Sequence, residues 1–140
     1  DNGLKYCKES TLKKDIEYYD SDVIIYDKMG VLYKIYKLSD ISFVGGSFHG
    51  SIHNVMEPAV YKKLIVFGPT YKNSYEAVYL IKNSAAVSFE SIEELINIFK
   101  LYFTDADSKY SKMPNISYDI IKQNLGCGEK IYNYIKPYLF

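Results

Sequence analysis

Ile41-Ser42-Phe43-Val44-Gly45-Gly46-Ser47-Phe48-His49-Gly50-Ser51-Ile52-His53-Asn54 is the stretch on which the reading of this chain turns. A short run rich in β-branched and aromatic residues stops at two adjacent glycines. The polar loop that follows holds both histidines of the chain, His49 and His53. A strand, a glycine turn and then a helix is the pattern of a parallel α/β unit, where ligands bind beyond the carboxyl ends of the strands. Adjacent glycines let backbone N–H groups approach a phosphate closely, and the next helix turns its positive end toward the same anion. An imidazole can donate to phosphate or sugar. A nucleotide mono- or diphosphate is the natural guest. Gly-Gly is also a common plain turn, and it is the length of this loop that favours binding.

Working outward, similar short runs recur at Leu4–Tyr6, Val23–Tyr26, Leu64–Phe67 and Ala86–Phe89. Several are almost continuously apolar, as expected of a sheet covered on both faces. Helical spacing separates them over Val31–Leu38 and Ser74–Lys82. Ser91-Ile92-Glu93-Glu94 then opens a helix to Phe103 with a capping box. The alternation predicts an α/β fold with a Rossmann-like parallel sheet. From Ser91 to Phe140 the pattern is helical, with breaks expected near Pro114, Gly126–Gly128 and Pro137.

The chain has 140 residues, which fits a single domain. Its 17 basic side chains balance 17 acidic ones, so no basic surplus draws it to nucleic acid. Cys7 and Cys127 lack CxxC spacing and histidine neighbours, which indicates neither a metal site nor a disulfide scaffold and suits a reducing cytoplasm. No stretch approaches the roughly 18 consecutive apolar residues of a membrane-spanning helix, so the piece itself is expected to be soluble. The 16 tyrosines are scattered rather than clustered and read as compositional bias.

Two further junctions follow strands: Asp27-Lys28-Met29-Gly30, and Gly68-Pro69-Thr70. By themselves both could be turns. Asn54 with Glu57 has the spacing of a helix cap and its third-position partner, as does Asn73 with Glu76. If the first of these helices instead begins at Pro58, Glu57 becomes a carboxylate at the cap position, able to accept from ribose hydroxyls.

Phe43-Val44-Gly45-Gly46-Ser47, His53-Asn54-Val55-Met56-Glu57-Pro58-Ala59 and Gly68-Pro69 resemble, in order and spacing, the F-V-G-G-S, H-N-x-x-E-P-A and G-P segments of 3-deoxy-D-manno-octulosonic acid (Kdo) transferases. Asp27-x-Met29-Gly30-x-Leu32 upstream and Asn73-Ser74-Tyr75-Glu76-Ala77 downstream are similar to that family's D-T-x-G-x-L and N-F-x-E-A segments. The likeness covers about Val23 to Lys130, and its H-N-x-x-E-P block is the most specific part. It departs at Lys28, Val31 and Ser51, where the family usually has Thr or Ser, Glu, and Gly.

The resemblance implies a GT-B glycosyltransferase whose C-terminal domain holds CMP-Kdo and whose N-terminal domain holds a lipid A precursor. Residues 1–140 would be a single nucleotide-sugar-binding domain, a fragment truncated at its N-terminus, after the family's first strand. Strand edges left open by that truncation would favour self-association. Gly45, Gly46 and Ser47 would offer backbone and hydroxyl donors to the CMP phosphate. Asn54 would order that loop, Glu57 would accept from the ribose, and His53, Gly30 and Gly68 would complete the donor contacts. No catalytic residue, metal or cofactor is implied in this chain. The donor substrate is CMP-Kdo, and the general base would be a carboxylate of the N-terminal domain. The full-length enzyme would work in lipopolysaccharide biosynthesis at the membrane surface, on the cytoplasmic face of the bacterial inner membrane. Two alternatives stay open: the donor domain of a GT-B enzyme using a UDP-sugar, and a noncatalytic flavodoxin-like interaction module.

Overall fold

The run Leu64-Ile65-Val66-Phe67 is apolar at every position, and in the computed structural model all four residues are fully buried at the centre of a parallel sheet. The structure describes residues 3–11 and 20–139. It divides into two units, Asp1–Ile35 and Tyr36–Phe140.

In the first unit, strands β1 (Tyr6–Lys8) and β2 (Val23–Ile25) pair in parallel, with Cys7 opposite Ile24. The first strand lies two residues later than the apolar pattern Leu4–Tyr6 predicts. Just before it, the Lys5 N–H donates to the Asp22 carboxylate at 2.9 Å and the Lys5 carbonyl accepts from the Asp22 and Val23 N–H groups at 2.9 and 3.0 Å. A one-turn helix, α1 (Leu32–Ile35), closes the unit. It is shorter than the expected Val31–Leu38.

The second unit carries strands β3 (Ile41–Val44), β4 (Leu64–Phe67) and β5 (Val87–Ser88) in the order β3-β4-β5, all parallel. Its helices are α2 (Met56–Val60), α3 (Tyr75–Lys82), α4 (Ile92–Thr104), α5 (Lys109–Gln123) and α6 (Cys127–Ile135). Successive side chains of a strand point to opposite faces, and β4 feeds two cores accordingly. Ile65 and Phe67 join Val44, Val55, Ala59, Ala77, Leu80 and Ile120 on one side. Leu64 and Val66 join Phe89, Ile98, Tyr110 and Met113 on the other. Each large apolar side chain buried in this way stabilises the fold by about 1.5 to 3 kcal/mol. The α/β class and the parallel arrangement expected from the sequence are both present.

Pro114 does not break the chain: it lies inside α5. Proline in a helix interior removes one hydrogen bond and costs about 3 kcal/mol. Here its ring is buried with Tyr110, Met113, Ser117 and Ile120 on the face of α5 that packs inward, and that burial offsets the loss. The Ser117 hydroxyl donates to the Pro114 carbonyl at 3.0 Å. The break at Gly126 is real, because that residue takes the left-handed conformation (φ 78°) between α5 and α6. Pro137 sits in a short 3-10 turn, Lys136–Tyr138, after α6.

Candidate functional site

Because Val44 lies opposite Phe67 in the β3-β4 register, the residues after these strands, Gly45 and Gly68, emerge at the same edge of the sheet. Ser47 joins the two junctions. Its hydroxyl accepts from the Gly68 N–H at 2.7 Å and donates to the Val44 carbonyl at 3.3 Å, while its own carbonyl accepts from the Thr70 N–H at 2.8 Å. Ser47 is fully buried. In this arrangement the hydroxyl expected to meet a phosphate is engaged inside the protein, where Ser47 shapes the loop.

Two glycines are required here, for different reasons. Gly46 has φ 83°, and a Cβ added there would lie 2.2 Å from the Ser51 carbonyl oxygen and 2.9 Å from the His53 ring. Gly68 has ordinary backbone angles, but a Cβ on it would meet the Phe48 ring at 2.6 Å. The Phe48 ring lies over Gly68 and packs edge-on against Phe89, with centroids 5.7 Å apart. Gly45 accepts from the His53 N–H at 3.1 Å, which closes the loop on itself and sets the imidazole beside the glycine pair.

His53 is exposed and lines two cavities. One, of about 470 Å³, is bounded by Phe43, Gly45, Gly46, Phe48 and His49. The other, of about 440 Å³, is bounded by Asn54, Val55, Met56, Ser74 and Glu76. His53 therefore stands where the two recesses meet, and the glycine turn lines the first of them.

Helix α2 begins at Met56, between the two starts that the sequence left open. The Asn54 side-chain oxygen Oδ1 accepts from the Met56 N–H at 2.8 Å, and the Asn54 side-chain NH2 donates to Glu57 at 3.3 Å. Pro58 is the third residue of the helix, where an N–H has no partner within the helix, so proline there removes no bond. Glu57 is half-buried, and its charge faces Tyr36. Burial, and secondarily that carboxylate, raise the Tyr36 phenol above its ordinary value.

The cap of α3 is Ser74 rather than Asn73: the Ser74 hydroxyl accepts from the Ala77 N–H at 3.2 Å and donates to Glu76 at 3.0 Å. The Asn73 amide instead donates to the Ser51 hydroxyl at 2.6 Å, back across to the glycine loop. The Ser47–Gly68 tie and this Asn73–Ser51 bond were not foreseen from sequence, since each joins residues about twenty positions apart.

Gly30 belongs to the first unit, where it takes a left-handed conformation (φ 76°) in the turn before α1. In the same unit Asp27 accepts from the Ser10 hydroxyl at 2.5 Å and the Ser10 N–H at 3.1 Å. These bonds, the hydroxyl's first, hold its carboxyl below the usual range. Among the described residues no three His, Cys, Asp or Glu side chains gather to hold a metal ion.

No family model matches the chain. It is 33% identical over 110 residues to a bifunctional glycosyltransferase/methyltransferase of Fusobacterium nucleatum, covering 77% of this chain and 17% of that protein. It is 30% identical over 147 residues to the 3-deoxy-D-manno-octulosonic acid transferase of Haemophilus influenzae, covering 97% of this chain and 32% of that protein. The transferase of the same name from Rickettsia typhi is 28% identical over 129 residues, covering 91% of this chain and 28% of that protein. The chain thus spans no more than about a third of the length of these relatives. Among solved structures it is similar to the C-terminal CMP-Kdo binding domain of WaaA from Acinetobacter baumannii, with a TM-score of 0.72 and 25% identity over 84% of this chain and 61% of that one.

Proposed function

We propose, for a chain that belongs to the Kdo transferase family and is similar to a solved CMP-Kdo-binding domain, that it is the donor side of a GT-B Kdo transferase. The observation that carries this reading is His53, set beside Gly45 and Gly46, standing where two recesses meet. CMP-Kdo is a nucleoside and an acidic sugar joined through one phosphate. A phosphate beside the glycine turn, met by backbone N–H groups and the His53 imidazole, leaves the two halves of the donor to the recesses on either side of His53. Asn54 holds the start of α2 and orients Glu57, which accepts from the ribose hydroxyls.

In this reading the reaction is inverting transfer of Kdo to a hydroxyl of a lipid A precursor. The acceptor hydroxyl must lose its proton, and the carboxylate that takes it lies in a part of the protein outside this chain. The acceptor in this reading is a lipid, so the enzyme works at a membrane surface, which we place at the cytoplasmic face of the inner membrane. No helix among the described residues is long and apolar enough to cross a bilayer.

The test uses full-length protein and, separately, this chain. Full-length protein releases CMP from CMP-Kdo when given a lipid A precursor, and the isolated chain releases none. A preference for UDP over CMP in calorimetric titration would assign the site to another class of GT-B donor. Binding of neither nucleotide by full-length protein would favour an interaction module.

A further inference from the structure

The loop from Gly45 to Asn54 contains no regular secondary structure after the strand, yet it must present the glycine turn and His53 in one arrangement. Three ties hold it. At its base the His53 N–H donates to the Gly45 carbonyl at 3.1 Å, and the buried Ser47 hydroxyl is locked to Gly68 at 2.7 Å. Toward its far end the Asn73 amide donates to the Ser51 hydroxyl at 2.6 Å, between two exposed residues. Ser51 is also the residue whose carbonyl oxygen occupies the space beside Gly46. A shift of Ser51 therefore moves the wall against which the glycine turn rests.

We infer that Asn73 is a positioning residue: acting through Ser51, it pre-orders the far end of the glycine loop for an anionic donor. This rests on the reading of the site as the donor site. Asn73 is suited to the task because Ser74 next to it supplies the cap of α3, which leaves the Asn73 side chain to span from the segment after β4 to the loop after β3. An exposed hydrogen bond of this kind adds little to global stability, but a loop already ordered before binding does not have to be ordered by the ligand. Its loss should thus appear in affinity and not in melting.

The experiment compares full-length parent with Asn73→Ala, Ser51→Ala, the double variant and Ser51→Thr, using CMP as the calorimetric probe, melting curves, and hydrogen exchange of the ligand-free loop. Each alanine variant is expected to weaken CMP binding about fivefold, with melting unchanged. The double variant should be no worse than either single one, and Ser51→Thr, which keeps the hydroxyl, should bind as the parent does. Exchange over residues 46–54 should quicken in Asn73→Ala without ligand. Unchanged exchange, or additive losses in the double variant, would overturn the coupling through Ser51 even if CMP binds the parent normally. Absence of CMP binding by the parent would overturn the donor reading and this role with it, while the exchange measurement still reports whether the tie orders the loop.

Discussion

The Ser47 hydroxyl accepts from the Gly68 N–H at 2.7 Å and donates to the Val44 carbonyl, so one buried side chain joins the ends of β3 and β4. Ser47→Ala leaves the buried Gly68 N–H without its acceptor. An unsatisfied buried group of this kind costs about 1 to 3 kcal/mol. The expected outcome is a clear fall in melting temperature, with CMP affinity falling only as far as the loop is disturbed. A variant that melts like the parent yet binds CMP poorly would return the hydroxyl to the ligand.

Gly46→Ala should damage the site more directly. A left-handed residue with a side chain carries roughly 1 to 2 kcal/mol of strain, and the new methyl group would collide with backbone, the Ser51 carbonyl at 2.2 Å. The loop must open to admit it. CMP binding should fall by about tenfold or more, the factor that corresponds to 1.4 kcal/mol, and full affinity in this variant would show that the turn does not face the donor.

For Glu57 the two roles separate by measurement. If the carboxylate accepts from the ribose, Glu57→Gln weakens donor binding by roughly 1.5 to 3 kcal/mol, the worth of a charge-assisted bond. If it serves only the start of α2 through Asn54, the melting temperature falls modestly and CMP affinity is unchanged. Titration and melting on the same sample decide it.

Alkaline stability provides a fourth test. Burial first, and then the charge of Glu57, raise the Tyr36 phenol above its ordinary value; burial first, and then Asp40, do the same for Tyr102. The unfolded chain then loses these protons at lower pH than the folded one. Their contribution is fully present below the unfolded value of about 10 and is lost as pH rises through the folded values. Tyr36→Phe should therefore show a smaller drop in melting temperature above about pH 10 than the parent, and Glu57→Gln should fall between the two. Identical alkaline curves for all three would mean that the Tyr36 phenol is not displaced.

Much of this was legible in the residues. The unbroken apolar run Leu64–Phe67 required a strand covered on both sides, and it is the fully buried centre of the sheet. The Ser91 capping box set the start of α4 to the residue. Hydrophobic period and capping chemistry act over a few positions, so a linear sequence displays them directly. Pro114 misled because its local cost is visible in sequence, whereas the burial that offsets it is supplied by residues far away.

The sequence by itself determined the parallel α/β class, the glycine loop and the family likeness, because each is written in neighbouring residues. Only the tertiary structure decided which hydroxyl faces inward, that Gly68 is glycine because of Phe48 and not because of its own backbone angles, and that Asn73 reaches Ser51 instead of capping α3. Those outcomes depend on strand register: setting Val44 opposite Phe67 brings together loops about twenty residues apart, and no local pattern encodes which of their polar atoms will meet.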